Sequence, residues 1–248
     1  MPNDLAPFAA LMNTYSEIDA EDRKAILSLP FETQTIRGNS RFAYPGQGKC
    51  ELLVLLDGFS LRQKLTSSGE RHISALHIAG DALNLSAMFT DDIDYEVVPI
   101  SGATVAVIQR EAAVGLLRDR PAIFAAFLSA LLVDASTTRE WLLSQSRRPS
   151  RVRVAHFLCE HATRMTGRGL VKNKTIDLGV TQEQLADLLG LTMVHINRTL
   201  RLLEREGLIT RDGRYYEIIH RRALQESADF KPSYLYPLIP KMDNVSGE

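Results

Sequence analysis

The chain has 248 residues, of which 45% are hydrophobic, 24% charged and 7% aromatic, enough to bury a sizeable core and to build two modest domains. No apolar run approaches the ~20 residues of a membrane span, and the acidic start MPNDLAPFAALMNTYSEIDAED lacks a signal peptide's basic flank, so a cytoplasmic protein with no membrane partner is expected. The formal net charge of −1 conceals a split: Arg147 to Arg222 carries fifteen Lys/Arg against eight Asp/Glu, whereas Met1 to Ser146 carries twelve against eighteen. Such a basic segment suits a polyanion partner, the alternative being a plain solvated surface. Cys50 and Cys159 lie far apart and form no CxxC pair, which leaves a disulfide, a zinc ribbon or an iron–sulfur cluster without support.

Taken in order, the chain opens with a short helix, Ala20 to Leu29, and then turns to β patterning. ELLVLLDGFSLRQKL places Asp57-Gly58 between two strand-like runs, a hairpin signal. Ser68-Gly69 separates KLTSS from RHISALHIA, Ala79-Gly80-Asp81 marks a further turn, and Ser101-Gly102 divides DYEVVPISGATVAVI. Short strands with evenly spaced turns predict an antiparallel sandwich or barrel. From Pro121 the period changes: Ile123, Phe127, Leu131, Leu132, Trp141 and Leu142 predict a long helix, with Pro121 in its first turn. That helix either caps the barrel alone or covers it with one face and pairs with a second copy through the other. SRRPS, Ser146 to Ser150, is the best domain boundary. The tail FKPSYLYPLIPKMDNVSGE is predicted extended, docked in part by Tyr234, Leu235 and Tyr236, with its last eight residues loose.

Between them lies VTQEQLADLLGLTMVHINRTLRLLEREGLI. Thr181 with Gln184 fits a capping box, Leu185, Ala186, Leu188 and Leu189 supply an inward face, Gly190 permits a tight turn, and Thr192 can cap the next helix. In that second helix Ile196, Leu200 and Leu203 share the buried face, which leaves Val194, Asn197, Arg198, Arg201 and Arg205 largely outside. A helix with one apolar side and one side of Asn and Arg suits a major groove. LITRDGRYYEII then alternates around Asp212-Gly213, a small hairpin with Arg211 and Arg214 near its tip, placed to touch phosphates.

This ordered set resembles the CRP/FNR superfamily of bacterial transcription regulators, from about Ile36 to Leu224 and most specifically from Val180 to Ile219. The resemblance implies an α+β chain: a β-roll sensor with jelly-roll-like topology over 1–120, a dimerisation helix over 121–146, a winged helix-turn-helix over 147–228 and an extension over 229–248. It implies a homodimer on a near-palindromic operator with half-sites ~10 base pairs apart, and RNA polymerase as a further partner. By the same resemblance Met193, Val194, Asn197 and Arg198 face bases, while Thr181, Gln182, Thr192, His195, Arg201, Arg211 and Arg214 contact phosphates or edges. Met193-Val194 stands where familiar members carry polar readers, so a different operator is expected, with Arg198 able to fork onto guanine.

In nucleotide-binding members, Gly-Asp is followed by Gly-Glu and then Arg-Ser or Arg-Thr. Here Gly80-Asp81 is kept, but Asn84-Leu85 and Ile93-Asp94 replace the rest, and a phosphate would meet Asp91, Asp92 and Asp94 with no guanidinium, which argues against cyclic AMP or GMP. An effector pocket over Leu83, Asn84, Leu85, Ser86, Ile93 and Asp94 is the remaining expectation, with no cofactor. The odd separation of His72 and His77, and the five-residue separation of His156 and His161, make poor chelating pairs. The competing readings are a metal-dependent cupin-like enzyme, which needs a histidine cluster, and a regulatory module that binds a protein through the β-roll. No nucleophile–base arrangement is visible, and no enzyme activity is expected.

Overall fold

The computed structural model describes residues 4–38, 40–48 and 50–236. Two helices, α1 (Ala6–Tyr15) and α2 (Ala20–Leu27), precede the strands β1 (Phe31–Arg37), β2 (Leu52–Leu65), β3 (Arg71–His77) and β4 (Glu96–Ile108). Helices α3 (Arg110–Asp119), α4 (Pro121–Arg147) and α5 (Ser150–Gly167) follow, then β5 (Thr175–Asp177), α6 (Gln182–Leu189), α7 (Met193–Arg205), β6 (Ile209–Asp212), β7 (Tyr215–Ile218) and α8 (Arg221–Ser227). Helix α1, strand β1 and helix α3 had no counterpart in the sequence reading: α1 carries its apolar residues without a clean period, and β1 is an exposed polar edge strand.

The first four strands form one antiparallel sheet in the order β1-β4-β2-β3. Two of the predicted turns are not turns. Asp57-Gly58 lies inside the 14-residue strand β2, and Ser101-Gly102 lies inside the 13-residue strand β4. The two strands stay paired from Leu52↔Ile108 to Gln63↔Glu96 and slip register between Leu55 and Asp57 and between Gly58 and Ser60. The glycines therefore serve bulges that bend both strands together. Gly58 has φ +90°, and a Cβ there would lie 2.5 Å from the carbonyl oxygen of Gly102. Gly58→Ala is expected to cost at least about 1 kcal/mol of folding stability, measured by chemical denaturation; a variant as stable as the parent would contradict the bulge. The turn at Ser68-Gly69 does form, with Gly69 N–H on the Thr66 carbonyl, and Gly80 N–H turns the chain back onto the Leu55 carbonyl at 2.7 Å.

Two cores divide the interior. One packs α1, α2, the sheet and the start of α4 around Phe8, Leu55, Val105 and Phe127, with Phe8 edge-on to Phe127 at 5.7 Å. The other joins Leu61, Ile73, Leu76 and Ile78 of the sheet to Trp141, α5, α6, α7 and the C-terminal residues. The sheet thus contributes apolar side chains directly to the core of the helix-turn-helix unit.

Helix α4 is strongly apolar. It holds an 18-residue window of mean hydropathy 1.5, long and apolar enough by composition to cross a membrane, with 28% of that window buried within this chain. Ile123, Ala126, Phe127, Val133 and Trp141 face inward, while Phe124, Leu128, Leu132 and Leu142 are exposed. After α8 the tail forms a 3-10 turn, Pro232–Leu235, instead of an extended strand. Leu235 is buried and Tyr234 Oη donates to Glu160 Oε2 at 2.6 Å. The predicted loose end, 241–248, lies outside the described residues.

Candidate nucleic-acid interface

The helix-turn-helix is built by local chemistry. The Thr181 hydroxyl accepts from Gln184 N–H at 3.1 Å while Gln184 Oε1 accepts from Thr181 N–H at 2.9 Å, a complete capping box at the start of α6. Gly190 ends α6 with φ +60°, and Leu191 N–H reaches back to the Ala186 carbonyl at 2.9 Å. Thr192 then caps α7: its hydroxyl accepts from His195 N–H at 3.3 Å and lies 3.0 Å from His195 Nδ1. Leu185, Leu188, Ile196, Leu200 and Leu203 close the core between the two helices, and Thr199 joins them.

The opposite face of α7 is open. Val194 is 75% exposed and Met193 48%, and with Asn197, Arg198, Arg201 and Arg205 they line one shallow concavity. Among the described residues, Arg198, Arg201 and Arg205 have no hydrogen-bond or ion-pair partner. Asn197 is half-buried and donates through Nδ2 to the Met193 carbonyl at 3.1 Å, so part of its donor capacity is already used. Gln182 sits in the first turn of α6, half-buried beside the exposed Thr181.

The wing is a three-stranded sheet, β5-β7-β6, turned at Gly213 with φ +58°. Its arginines are engaged. Arg214 pairs with both carboxylate oxygens of Asp177, its Nε at 2.7 Å from Oδ1, and lies over the rings of Phe59 and Tyr215. Arg211 Nε donates to Glu204 Oε1 at 2.9 Å. Asp177 was not singled out from the sequence; only the folded β5-β7 pairing, Asp177↔Tyr215, brings it beside Arg214.

One side chain that the sequence reading missed orients this unit. Arg153 of α5 donates to the carbonyls of Gln145 and Arg148 at the end of α4, and to those of Leu189 and Gly190 in the helix-turn-helix turn, at 2.9 to 3.2 Å. A single guanidinium thus ties the long helix to the turn that aims α7. Arg71 of β3 pairs with Asp187 of α6, and Arg151 with Glu206 beyond α7.

With this geometry in view, the comparisons with known proteins agree. Residues 152–227 match the family model of the Crp-like helix-turn-helix domain. The chain is 25% identical over 180 residues, 71% of its length and 72% of the relative's, to the transcriptional activator protein FnrL of Cereibacter sphaeroides. It is 28% identical over 155 residues to the transcriptional activatory protein AadR of Rhodopseudomonas palustris, covering 62% of this chain and 64% of that one. The fold is shared with the solved structure of FixK2 from Bradyrhizobium japonicum, at TM-score 0.72 and 21% identity, over 80% of this chain and 97% of that one.

Residues 152–227 form a Crp-like helix-turn-helix domain, in a chain similar to FNR-type and FixK-type regulators. The chain is an α+β DNA-binding transcription regulator, with an antiparallel N-terminal sheet, a long helix and a C-terminal helix-turn-helix. Of the residues expected to hold an effector, Leu83, Leu85, Ser86 and Asp94 line a cavity of about 430 Å³ between the sheet, α4 and α5. Asn84 and Ile93 are core positions instead. Asn84 Oδ1 accepts from Leu53 N–H at 2.9 Å and its Nδ2 donates to the Glu51 carbonyl at 2.7 Å, so both polar ends are committed to the chain entering β2. Ile93 is 4% exposed within the first core. Arg110 spends its guanidinium on the carbonyls of Ala87 and Thr90. The regulator's cavity is further lined by Arg164 of α5 and by Arg168, which caps the end of that helix, and no sequence motif had marked either.

Three buried histidines make the regulator's stability depend on pH. Burial lowers the pKa of His77, His156 and His161 from the ordinary 6.5, the last two to about 4. The folded state therefore keeps them neutral where the unfolded chain is protonated, so their contribution is full above 6.5 and lost as pH falls from there toward 4. Glu160 acts oppositely, because burial raises its carboxyl. With three groups against one, the melting temperature of the regulator is expected to fall on acidification from about pH 6.5 to about pH 4.5. Circular dichroism melts across that range check the sign, and a flat or rising profile would contradict it.

Proposed function

We propose that the regulator acts as a homodimer on a near-palindromic operator, with α7 of each protomer in the major groove. The observation that carries this reading is the open face of α7, where three arginines stand without internal partners beside an apolar Met193-Val194 pair. Arg198 is then the guanine reader, Met193 and Val194 pack against thymine methyls, and Asn197 adds an edge contact. Thr181, Gln182, Thr192, His195 and Arg201 hold phosphates, joined by Arg211 and Arg214 once they exchange Glu204 and Asp177 for the backbone. The exposed Phe124, Leu128, Leu132 and Leu142 support pairing through α4, since a line of apolar side chains on a long helix is stabilised by a second copy. Two paired subunits would set half-sites about one helical turn apart, ~10 base pairs.

In this reading residues 1–120 sense, 121–146 dimerise, 147–228 bind DNA and 229–248 extend the last unit. The regulator works in the cytoplasm at the nucleoid, meets RNA polymerase, and performs no catalytic step. Selection of bound fragments from sheared genomic DNA by purified protein, without added ligand, tests the proposal. Recovery of a two-fold symmetric motif with a guanine in each half-site is the expected result. Recovery of nothing above background at low and at moderate salt would overturn DNA binding by the apo protein.

A further inference from the structure

The charges around the 430 Å³ cavity do not balance. Arg62 pairs with Asp134 at 2.7 Å and Lys64 with Asp94 at 2.7 Å, one carboxylate for each cation. Asp81, 8% exposed, is shared by two guanidiniums, Arg164 at 2.8 Å and Arg168 at 2.6 Å. Along the wall itself four cations face three carboxylates, one positive charge in surplus at the α5 end; Glu160, near Arg164 but outside the lining, is bonded instead to Trp141 Nε1 and Tyr234 Oη. Two phenols complete that end. Tyr15 of α1 lies close enough to feel the charges of Arg168, Asp81 and Arg164 and the hydroxyl of Tyr236, and all of them line the cavity. Among the described residues neither phenol has a hydrogen-bond partner. The rest of the wall is apolar: Met12, Leu83, Leu85, Leu131, Val133 and Trp141.

We propose that this cavity binds a small monoanionic carboxylic acid with an apolar body, the carboxylate held by Arg164, Arg168 and the Tyr15 and Tyr236 hydroxyls. One surplus charge matches one carboxylate, and guanidinium and phenol donors form charge-assisted hydrogen bonds to it. The apolar wall takes an alkyl or aryl body, in a volume typical of small-molecule pockets at ~300–1,000 Å³. A phosphate dianion would exceed the available charge. The ribose of a cyclic nucleotide would need a free carboxylate acceptor, and Asp81, Asp94 and Asp134 are all committed to cations. The carboxylate end belongs to α5, the first helix of the DNA-binding unit, whereas the body lies against the sheet and α4. A bound acid therefore bridges the two cores. Its effect on DNA rests on the regulator reading; its binding does not.

Trp141, the only tryptophan of the chain, lines the cavity and reports on it directly. Full-length protein is titrated with octanoate, 4-phenylbutyrate, octanamide and cyclic AMP, following Trp141 fluorescence and melting temperature in the absence of DNA. At least one of the two acids is expected to give a saturable fluorescence change and a higher melting temperature, with octanamide weaker by about tenfold or more for want of the charge. Tyr15→Phe and Tyr236→Phe, which remove one hydroxyl each and keep the rings, should weaken the acid and leave octanamide unchanged. Absence of saturation by both acids, equal binding of octanamide, or binding of cyclic AMP in place of the acids would each overturn the proposal. Because DNA is absent, such a result leaves the regulator reading standing. Acid binding by a protein that selects no DNA motif either without or with the acid would overturn the regulator reading and keep the site.

Discussion

Replacing Arg198 with alanine is expected to weaken binding to the preferred operator by about 1–3 kcal/mol, roughly five- to 150-fold in Kd, and to relax specificity at the guanine it reads. The side chain is exposed on α7 and has no partner among the described residues, so its removal leaves the fold untouched. The melting temperature should match that of the parent. Fluorescence anisotropy on the selected operator, repeated with the guanine of each half-site replaced, separates readout from simple charge. A base-reading arginine loses most of its contribution when its base is changed, so R198A and parent should then bind the altered site alike. Arg201→Ala provides the contrast: placed on a phosphate in the proposed docking, it is expected to weaken all sequences together and to flatten the salt dependence. Equal affinity of R198A and parent for the unaltered operator would remove Arg198 from the interface and the α7 docking with it.

A second large effect is expected at the joint between the two cores. Asp81 accepts from Ile78 N–H at 2.9 Å and from Arg164 and Arg168, with His77 Nδ1 3.7 Å away. Although burial alone would raise its pKa, the two guanidiniums hold the carboxyl far below the ordinary 3.8. Its contribution to stability is therefore present above pH 3.8 and is lost only as pH falls below that value, outside the window in which the histidines act. Asp81→Asn keeps the shape and removes the charge, leaving two buried cations facing each other. Breaking a buried pair in this way costs about 3–5 kcal/mol. Chemical denaturation should show a lower midpoint with an unchanged slope, since the surface exposed on unfolding is the same. A loss below about 1 kcal/mol would mean that water already screens the arginines, and the surplus-charge argument for the cavity would weaken with it.

The helix-turn-helix was legible in the sequence because every signal in it is local. Thr181 with Gln184, Gly190, and Thr192 with His195 act within four residues of one another, and the 3.6-residue period of Ile196, Leu200 and Leu203 sorts the two faces of α7 without reference to the rest of the chain. The exposed positions of Arg198, Arg201 and Val194 follow from that period alone. The tip of the wing was equally local, through Asp212-Gly213. The β-roll shows where such signals mislead. Asp57-Gly58 and Ser101-Gly102 satisfy the residue chemistry of a turn, yet each occupies a bulge, because the choice between reversing and bending depends on whether a partner strand continues alongside. Gly58 meets Gly102 across β2 and β4, residues 44 positions apart, and no window of sequence contains both.

By itself, then, the sequence determined part of the local structure: that α2, α4, α6 and α7 are helical, where α6 and α7 are capped, which residues face outward on α7, and that the basic charge gathers in the C-terminal half. The tertiary structure alone decided what those residues meet. It set Asp177 beneath Arg214, withdrew Asn84 into the backbone of the chain entering β2, spread Arg153 across the end of α4 and the helix-turn-helix turn, and gathered Tyr15, Asp81, Arg164 and Tyr236 from four segments around one cavity. The physical reason is the range of the interactions. Caps and helical periods act over one or two turns, whereas ion pairs and shared cores act through space between residues whose separation along the chain carries no pattern.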